Sequence, residues 1–241
     1  MQLVSFDVFR TLGFPETTIL KPEHTLRHKE LLREADWVLF PEYWQLNALV
    51  YGLNCRVFPS EASYRIGHDK VEMTRAFEMV APAHIPLTLI EPNTPESAQQ
   101  VWEQMALPFV AKLPKASMGQ GVWLIENKQD WHRYCAKSSV LYVQEYLPID
   151  RDVRVVIVGD KVVTAYWRTQ SERGFYNNVA QGGGIDYSVG SHPYVLEFNR
   201  LFGNQGLGGA HILKDAILAY LASKSEPEDP DGKTPVWPIA V

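Results

Sequence analysis

The sequence predicts an α/β protein, with a small parallel-sheet domain in front and mixed α+β segments behind it. Three observations carry that expectation. Short apolar runs alternate with helical patterns in the first quarter, a long two-armed run of β-branched residues follows the middle, and an apolar-spaced helix comes near the end. LVSF, WVLF and CRVF read as strands, with HTLRHKELLRE between the first two as a helix. That is the βαβ rhythm of a parallel sheet.

The elements then follow in order. DKVEMTRAFEMVA, residues 69–81, reads as a helix, and Pro82 and Pro86 punctuate the connection to the strand LTLI. Thr94-Pro95 is a helix start, threonine as N-cap and proline at the first helical position, and SAQQVWEQM continues it. PFVAK and GVWLI read as strands around a glycine-bearing loop, KQDWHRYCAK as a helix and VLYVQEY as a strand. DVRVVIVGDKVVTAYWR is the clearest hairpin, turning at Gly159-Asp160. QGGGID leads into the strand YVLEFN, and Ala210 to Ser223 forms a helix with Ile212, Ile217, Leu218 and Leu221 at apolar spacing. From Lys224 onward, prolines and acids predict a mobile tail.

Composition narrows the functional classes. A chain of 241 residues can bury a substantial core. No apolar run approaches a membrane helix, and the N-terminus lacks a secretory signal pattern, so the expectation is a protein without membrane partners. Cys55 and Cys135 are too few for a disulfide framework or a thiolate metal site, which favours a reducing, cytoplasmic setting. A net charge of −5 leaves no footprint for nucleic acid, so a bound polyanion needs local positive charge.

Between Lys112 and Asn199 runs an ordered series of polar groups. Lys112 ends an apolar strand, and Ser117, Gly119 and Gly121 follow in a loop whose backbone N–H groups could approach a phosphate. The lysine precedes the glycines, so this is not a Walker A loop. A hairpin with a surface lysine fits the same residues. Gln144, Glu145 and Tyr146 end a strand that could offer backbone groups to adenine, with Asp150 or Asp152 accepting from ribose hydroxyls; a sheet strand with a polar end is the plainer alternative. Glu197 and Asn199 lie two apart on a strand and share a face, with Asp186 on the preceding segment. Two carboxylates and an amide suit Mg²⁺, and simple solvation of a polar face fits equally. Arg154 and Arg168 lie on the two hairpin arms, where a guanidinium could hold a carboxylate or phosphoryl group, or pair across the strands. Asn178 could complete the phosphate cradle. The histidines show no ligand spacing, and there is no GxSxG.

In its order the series resembles the ATP-grasp superfamily, most closely its RimK-like branch. Asp69-Lys70 matches the start of the family's helix after the small N-terminal domain, FVAKLPKASMGQGV its lysine strand and glycine loop, and VQEYL its adenine strip. DVRVVIVGDKVVTAYWR resembles its hairpin, and FYNN, GID and VLEFN its metal-binding end. The resemblance implies an ATP-grasp fold of two α+β subdomains clasping ATP. Residues 1–66 would be the preceding βαβ domain, 67–145 and 146–223 the two subdomains, and 224–241 the tail. It implies that Lys70, Lys112 and Asn178 contact phosphates, Glu145 and Tyr146 pair with adenine, and Asp152 holds the ribose. Asp186, Glu197 and Asn199 would bind Mg²⁺, with Arg168 near an acyl-phosphate. The implied activity is ATP-dependent joining of a carboxylate to an amine on an amino acid, peptide or protein tail, and homo-oligomerisation is compatible with it.

Three departures from the family pattern stand out. Tyr176 occupies a position where the family usually has arginine. Gly182-Gly183 runs almost directly into Gly184-Ile185-Asp186, where the family inserts a helical segment of about two dozen residues, enough for one or two helices. The terminal helix is expected to cover the sheet face so exposed. The N-terminal domain is also short. These departures keep two alternatives in view: a non-catalytic ATP-grasp module that binds nucleotide, and a kinase stopping at phosphoryl transfer.

Overall fold

The computed structural model describes residues 1–116, 121–169, 184–186 and 210–224. They fall into two compact units. The first gathers Met1–Arg65 with the hairpin segment Val155–Thr164 and the last helix; the second holds the described residues of Ile66–Arg154, Ala165–Thr169 and Gly184–Asp186. Among the described residues no helix is long and apolar enough to cross a membrane.

The first unit contains β1 (Leu3–Ser5), β2 (Thr17–Ile19), α1 (Lys29–Glu34), β3 (Trp37–Leu39), β4 (Val57–Phe58) and α2 (Glu61–Ile66). The four strands form one parallel sheet in the order β2-β1-β3-β4. Every residue of β1, β3 and β4 is buried, and all but Ser5 are apolar, the signature of a parallel sheet covered on both faces. The edge strand β2 is largely exposed, and so short that its TTI carries no strand pattern. Val4, Leu32, Val38, Leu46, Leu49 and Tyr64 centre the core. The predicted helix over HTLRHKELLRE forms in two parts, a tighter 3₁₀ stretch over Pro22–His28 and then α1. The 3₁₀ stretch starts at a proline without a side-chain cap, so nothing anchors an α-helical first turn there.

The second unit opens with α3 (Lys70–Val80), whose N-cap Asp69 accepts from the Val71 N–H. Next come β5 (Thr88–Pro92), α4 (Pro95–Gln104), β6 (Phe109–Lys112), β7 (Val122–Ile125), α5 (Lys128–Cys135) and β8 (Val140–Glu145). Thr94 caps α4 ahead of Pro95, as the sequence predicts, and Asn127 caps α5 through two backbone N–H groups. The strands form an antiparallel sheet in the order β5-β8-β6-β7. Alternation divides that sheet into two faces. Leu89, Phe109, Ala111, Trp123, Ile125, Leu141 and Val143 belong to a core closed by Val101, Met105, Trp131 and Tyr134. The Phe109 ring meets Trp131 edge-on at 5.6 Å, and Trp131 stacks on Tyr134.

β9 (Arg151–Val158) and β10 (Lys161–Thr169) form the predicted hairpin, and Gly159 takes φ +65° at the turn. β11 (Gly184–Asp186) pairs antiparallel with β10, placing Asp186 opposite Trp167 and Ile185 opposite Arg168. The last helix, α6 (Ala210–Ser223), carries Tyr220 against Trp37 at 6.3 Å and Phe58 at 5.8 Å. The N-terminal sheet is thus a partner of this helix, which its apolar spacing alone did not disclose.

Candidate nucleotide site

The even-numbered residues of the antiparallel sheet make its second face. Thr88 lies opposite Gln144 across β5 and β8, Val110 opposite Gln144 across β6 and β8, and Val122 opposite Lys112 across β7 and β6. A period of two therefore aligns Thr88, Tyr142, Gln144 and Lys112 on the side away from the core. α3 meets this face, where the Thr74 hydroxyl bonds the buried Tyr142 hydroxyl at 2.7 Å.

Lys112 is half-buried at the end of β6. Its Nζ donates to Gln144 Oε1 at 2.6 Å and lies 5.9 Å from the Tyr142 ring centroid. From the opposite side the Tyr134 hydroxyl steadies the backbone, lying 2.9 Å from the Lys112 carbonyl and accepting from the Tyr142 N–H at 3.0 Å. Burial pushes the Tyr134 phenol above its ordinary value, so it stays a neutral group able to donate and accept at once.

The loop after β6 is tied at both ends. Leu113 N–H donates to the Gly121 carbonyl at 2.7 Å, Lys70 N–H donates to the Pro114 carbonyl, and Lys70 Nζ donates to the Ala116 carbonyl. Gly121 sits at φ +75°, and a Cβ there would come within 2.8 Å of the Ala116 Cβ. Only glycine closes this loop without moving its neighbours. Lys115 pairs with Asp69 at 4.0 Å, so of the three lysines at this loop, Lys70, Lys112 and Lys115, one already faces a carboxylate.

The remaining expected residues fall in different places. Glu145 spends its backbone N–H on the Leu87 carbonyl and its carboxylate on the Leu87 N–H at 2.7 Å, closing the β5–β8 ladder; Tyr146 follows it, half-buried. Asp152 accepts from Arg168 Nε at 2.5 Å, and both side chains are more than four-fifths buried. The cross-strand pairing that the sequence left open for Arg168 is therefore present. Arg154 is half-buried on β9. Ser117, Gly119, Asn178, Glu197 and Asn199 lie outside the described residues, and Asp186 is described only by its place on β11. Among the described residues no three His, Cys, Asp or Glu side chains cluster as a metal site. Sequence reading missed Thr88, Tyr142 and Tyr134. The alternation in LTLI puts Thr88 away from the core, but its partner is visible only once the strand register is known.

A lysine presented by a sheet strand, beside a glycine-closed loop tied to the first residue of a helix, is the arrangement against which relatives can be compared. Residues 70–189 match the family described as the RimK-like ATP-grasp domain. The chain carries a RimK-like ATP-grasp domain. The match begins at Lys70, the first residue of α3. A probable α-L-glutamate ligase of Legionella pneumophila (strain Corby) is 26% identical over 191 residues, covering 64% of this chain and 63% of its own length. A ribosomal protein bS6–L-glutamate ligase of Escherichia fergusonii is 28% identical over 134 residues, 52% of this chain and 44% of that protein. The chain thus spans less than two-thirds of the curated relatives it matches. Among solved structures, the D-alanine–D-alanine ligase of Bacillus anthracis, complexed with ATP, superposes with a TM-score of 0.66 at 12% identity, covering 93% of this chain and 97% of that one. A RimK-domain ATP-grasp protein of Sphaerobacter thermophilus gives 0.53 at 16% identity, covering 70% and 73%. At these identities the likeness is one of fold, and the fold is ATP-grasp.

Proposed function

We propose that this protein is an ATP- and Mg²⁺-dependent ligase that joins a carboxylate to an amine on an amino acid, a peptide or a protein tail. The observation that carries the reading is the placement of Lys112, a cation set by a buried amide on the polar sheet face beside a loop to which Lys70 is tied. Lys70 and Lys112, with Lys115 paired to Asp69, would supply the local positive charge that a nucleoside triphosphate requires. Lys70 and Lys112 would bind phosphates, together with the loop of Ser117, Gly119 and Gly121 and with Asn178. The strand end Gln144–Tyr146 would meet adenine and Asp152 the ribose. Asp186, Glu197 and Asn199, two carboxylates and an amide, form a hard oxygen donor set of the kind that holds Mg²⁺, which would neutralise phosphate charge when bound. The substrate carboxylate would attack the γ-phosphorus and expel ADP, and the amine would then displace phosphate from the acyl-phosphate. Arg168 and Arg154 would stabilise the oxyanions of these steps. Such catalysis rests on positioning and charge, and needs no covalent enzyme nucleophile. The names of the glutamate-ligase relatives point towards an amino-acid substrate.

A second reading is favoured by particular residues. Tyr176, the short spacing from Gly183 to Asp186, and the pairing of Arg168 with Asp152 suit a nucleotide-binding module without ligase turnover. Incubation with Mg-ATP and pooled amino acids and peptides, reading phosphate release and product mass, separates the two. The ligase reading requires phosphate release that depends on both a carboxylate and an amine, with a condensed product. ATP binding without turnover in every pool would favour the module, and a phosphorylated product without condensation would mean a kinase.

A further inference from the structure

The chain of bonds that ends on Lys112 begins two strands away. Gln144 is 4% exposed, and its amide lies between the Lys112 ammonium and the Thr88 hydroxyl. A buried amide could present either end to either neighbour, so its orientation must come from its partners. The Thr88 hydroxyl donates its one proton to the Pro86 carbonyl at 2.8 Å and keeps only lone pairs for Gln144. It must therefore receive an N–H, and Gln144 Nε2 donates to it at 2.9 Å. That leaves the amide oxygen facing Lys112, the one end that suits an ammonium. Hydrogen-bond accounting fixes the direction of the whole relay. A consequence follows for charge. A carboxylate at position 144 would hold the lysine equally well but set a negative charge beside it, whereas an amide orients the ammonium without adding one.

We infer that Thr88 is a positioning residue for nucleotide binding, acting through Gln144 to aim Lys112 at an ATP phosphate. This rests on the reading of Lys112 as a phosphate-binding lysine. Thr88→Val keeps the branched shape and removes the hydroxyl, which leaves Gln144 Nε2 without its acceptor and the amide, with the lysine it holds, no longer anchored from β5. Losing one oriented neutral hydrogen bond predicts ATP binding weaker by about three- to tenfold. Thr88→Ser restores the hydroxyl and is expected to bind ATP as the wild type does. Gln144→Glu keeps a near-identical shape and is expected to lose at least as much affinity, because it sets a negative charge where a phosphate must approach Lys112.

The test is calorimetric titration of ATP into the full chain for the wild type, Lys112→Ala, Thr88→Val, Thr88→Ser and Gln144→Glu, with melting of each nucleotide-free protein alongside. The expected pattern is affinity lost in Lys112→Ala, Thr88→Val and Gln144→Glu and regained in Thr88→Ser, whatever the melting temperatures do. A purely structural Thr88 would shift melting and leave affinity at the wild-type value, which overturns the inference. So would wild-type affinity in Gln144→Glu, should Thr88→Val fail to fold. If the wild type binds no ATP, or Lys112→Ala binds as well as the wild type does, the phosphate-binding reading itself fails and this inference falls with it. The Lys112 arm therefore tells the two failures apart.

Discussion

Asp152 and Arg168 show how a single ion pair constrains a site. Each has a proposed ligand, ribose for one and an oxyanion for the other, yet each holds the other at 2.5 Å with little exposure. Removing one charge leaves the other buried without its partner, so Asp152→Asn should destabilise the protein by about 1–3 kcal/mol. Urea denaturation of both single mutants and the double mutant would measure the coupling; additive losses would show the pair to be idle. Glu61 offers a simpler case. The Tyr51 hydroxyl, and secondarily the Arg65 guanidinium, hold its carboxyl below the ordinary carboxylate value of 4.5. A depressed folded-state value adds stability that is present above the unfolded value and disappears as pH falls through the folded one. Tyr51→Phe should move the Glu61 titration back towards 4.5, followed by carboxyl NMR shifts; an unmoved midpoint would exclude the hydroxyl as its cause.

At the scale of elements, local chemistry made most helix starts and the hairpin turn legible. Thr94-Pro95 announces α4, Asp69 precedes α3, and Gly159-Asp160 turns the hairpin, because caps and turns are written in one or two residues. What escaped were short or non-local features. The strand β2 has three residues, and Thr88 gains its meaning only from a register pairing with Gln144, 56 positions away. The partners of α6 were hidden for the same reason, since apolar spacing names a face and not what covers it. Gly159 sits at φ +65°, and a Cβ there would approach the Tyr220 ring to 2.6 Å. The left-handed backbone alone costs a non-glycine residue roughly 1–2 kcal/mol. Gly159→Ala should therefore lower the melting temperature, and more than that backbone cost requires, because Tyr220 must also shift. A melting temperature equal to the wild type's would show that neither constraint holds.

At the scale of the whole chain, the ATP-grasp fold was readable because its polar groups recur in a fixed order, which no single group conveys. Lys70, Lys112 and Gln144 then meet around one sheet face and one loop, while Glu145 and the Asp152–Arg168 pair are engaged within the protein. Substrate identity was not legible, because specificity in such enzymes belongs to the walls of the site, and in sequence Tyr176 and the short spacing before Asp186 depart from the family pattern. The central claim is that a substrate carboxylate attacks ATP. It is tested most directly by supplying amino acids and peptides labelled with oxygen-18 in their carboxyl groups, together with Mg-ATP, and analysing the released phosphate by mass spectrometry. Passage through an acyl-phosphate predicts one labelled oxygen in each phosphate formed with a condensed product. Phosphate released without label would contradict it, since the attacking oxygen would then have come from water.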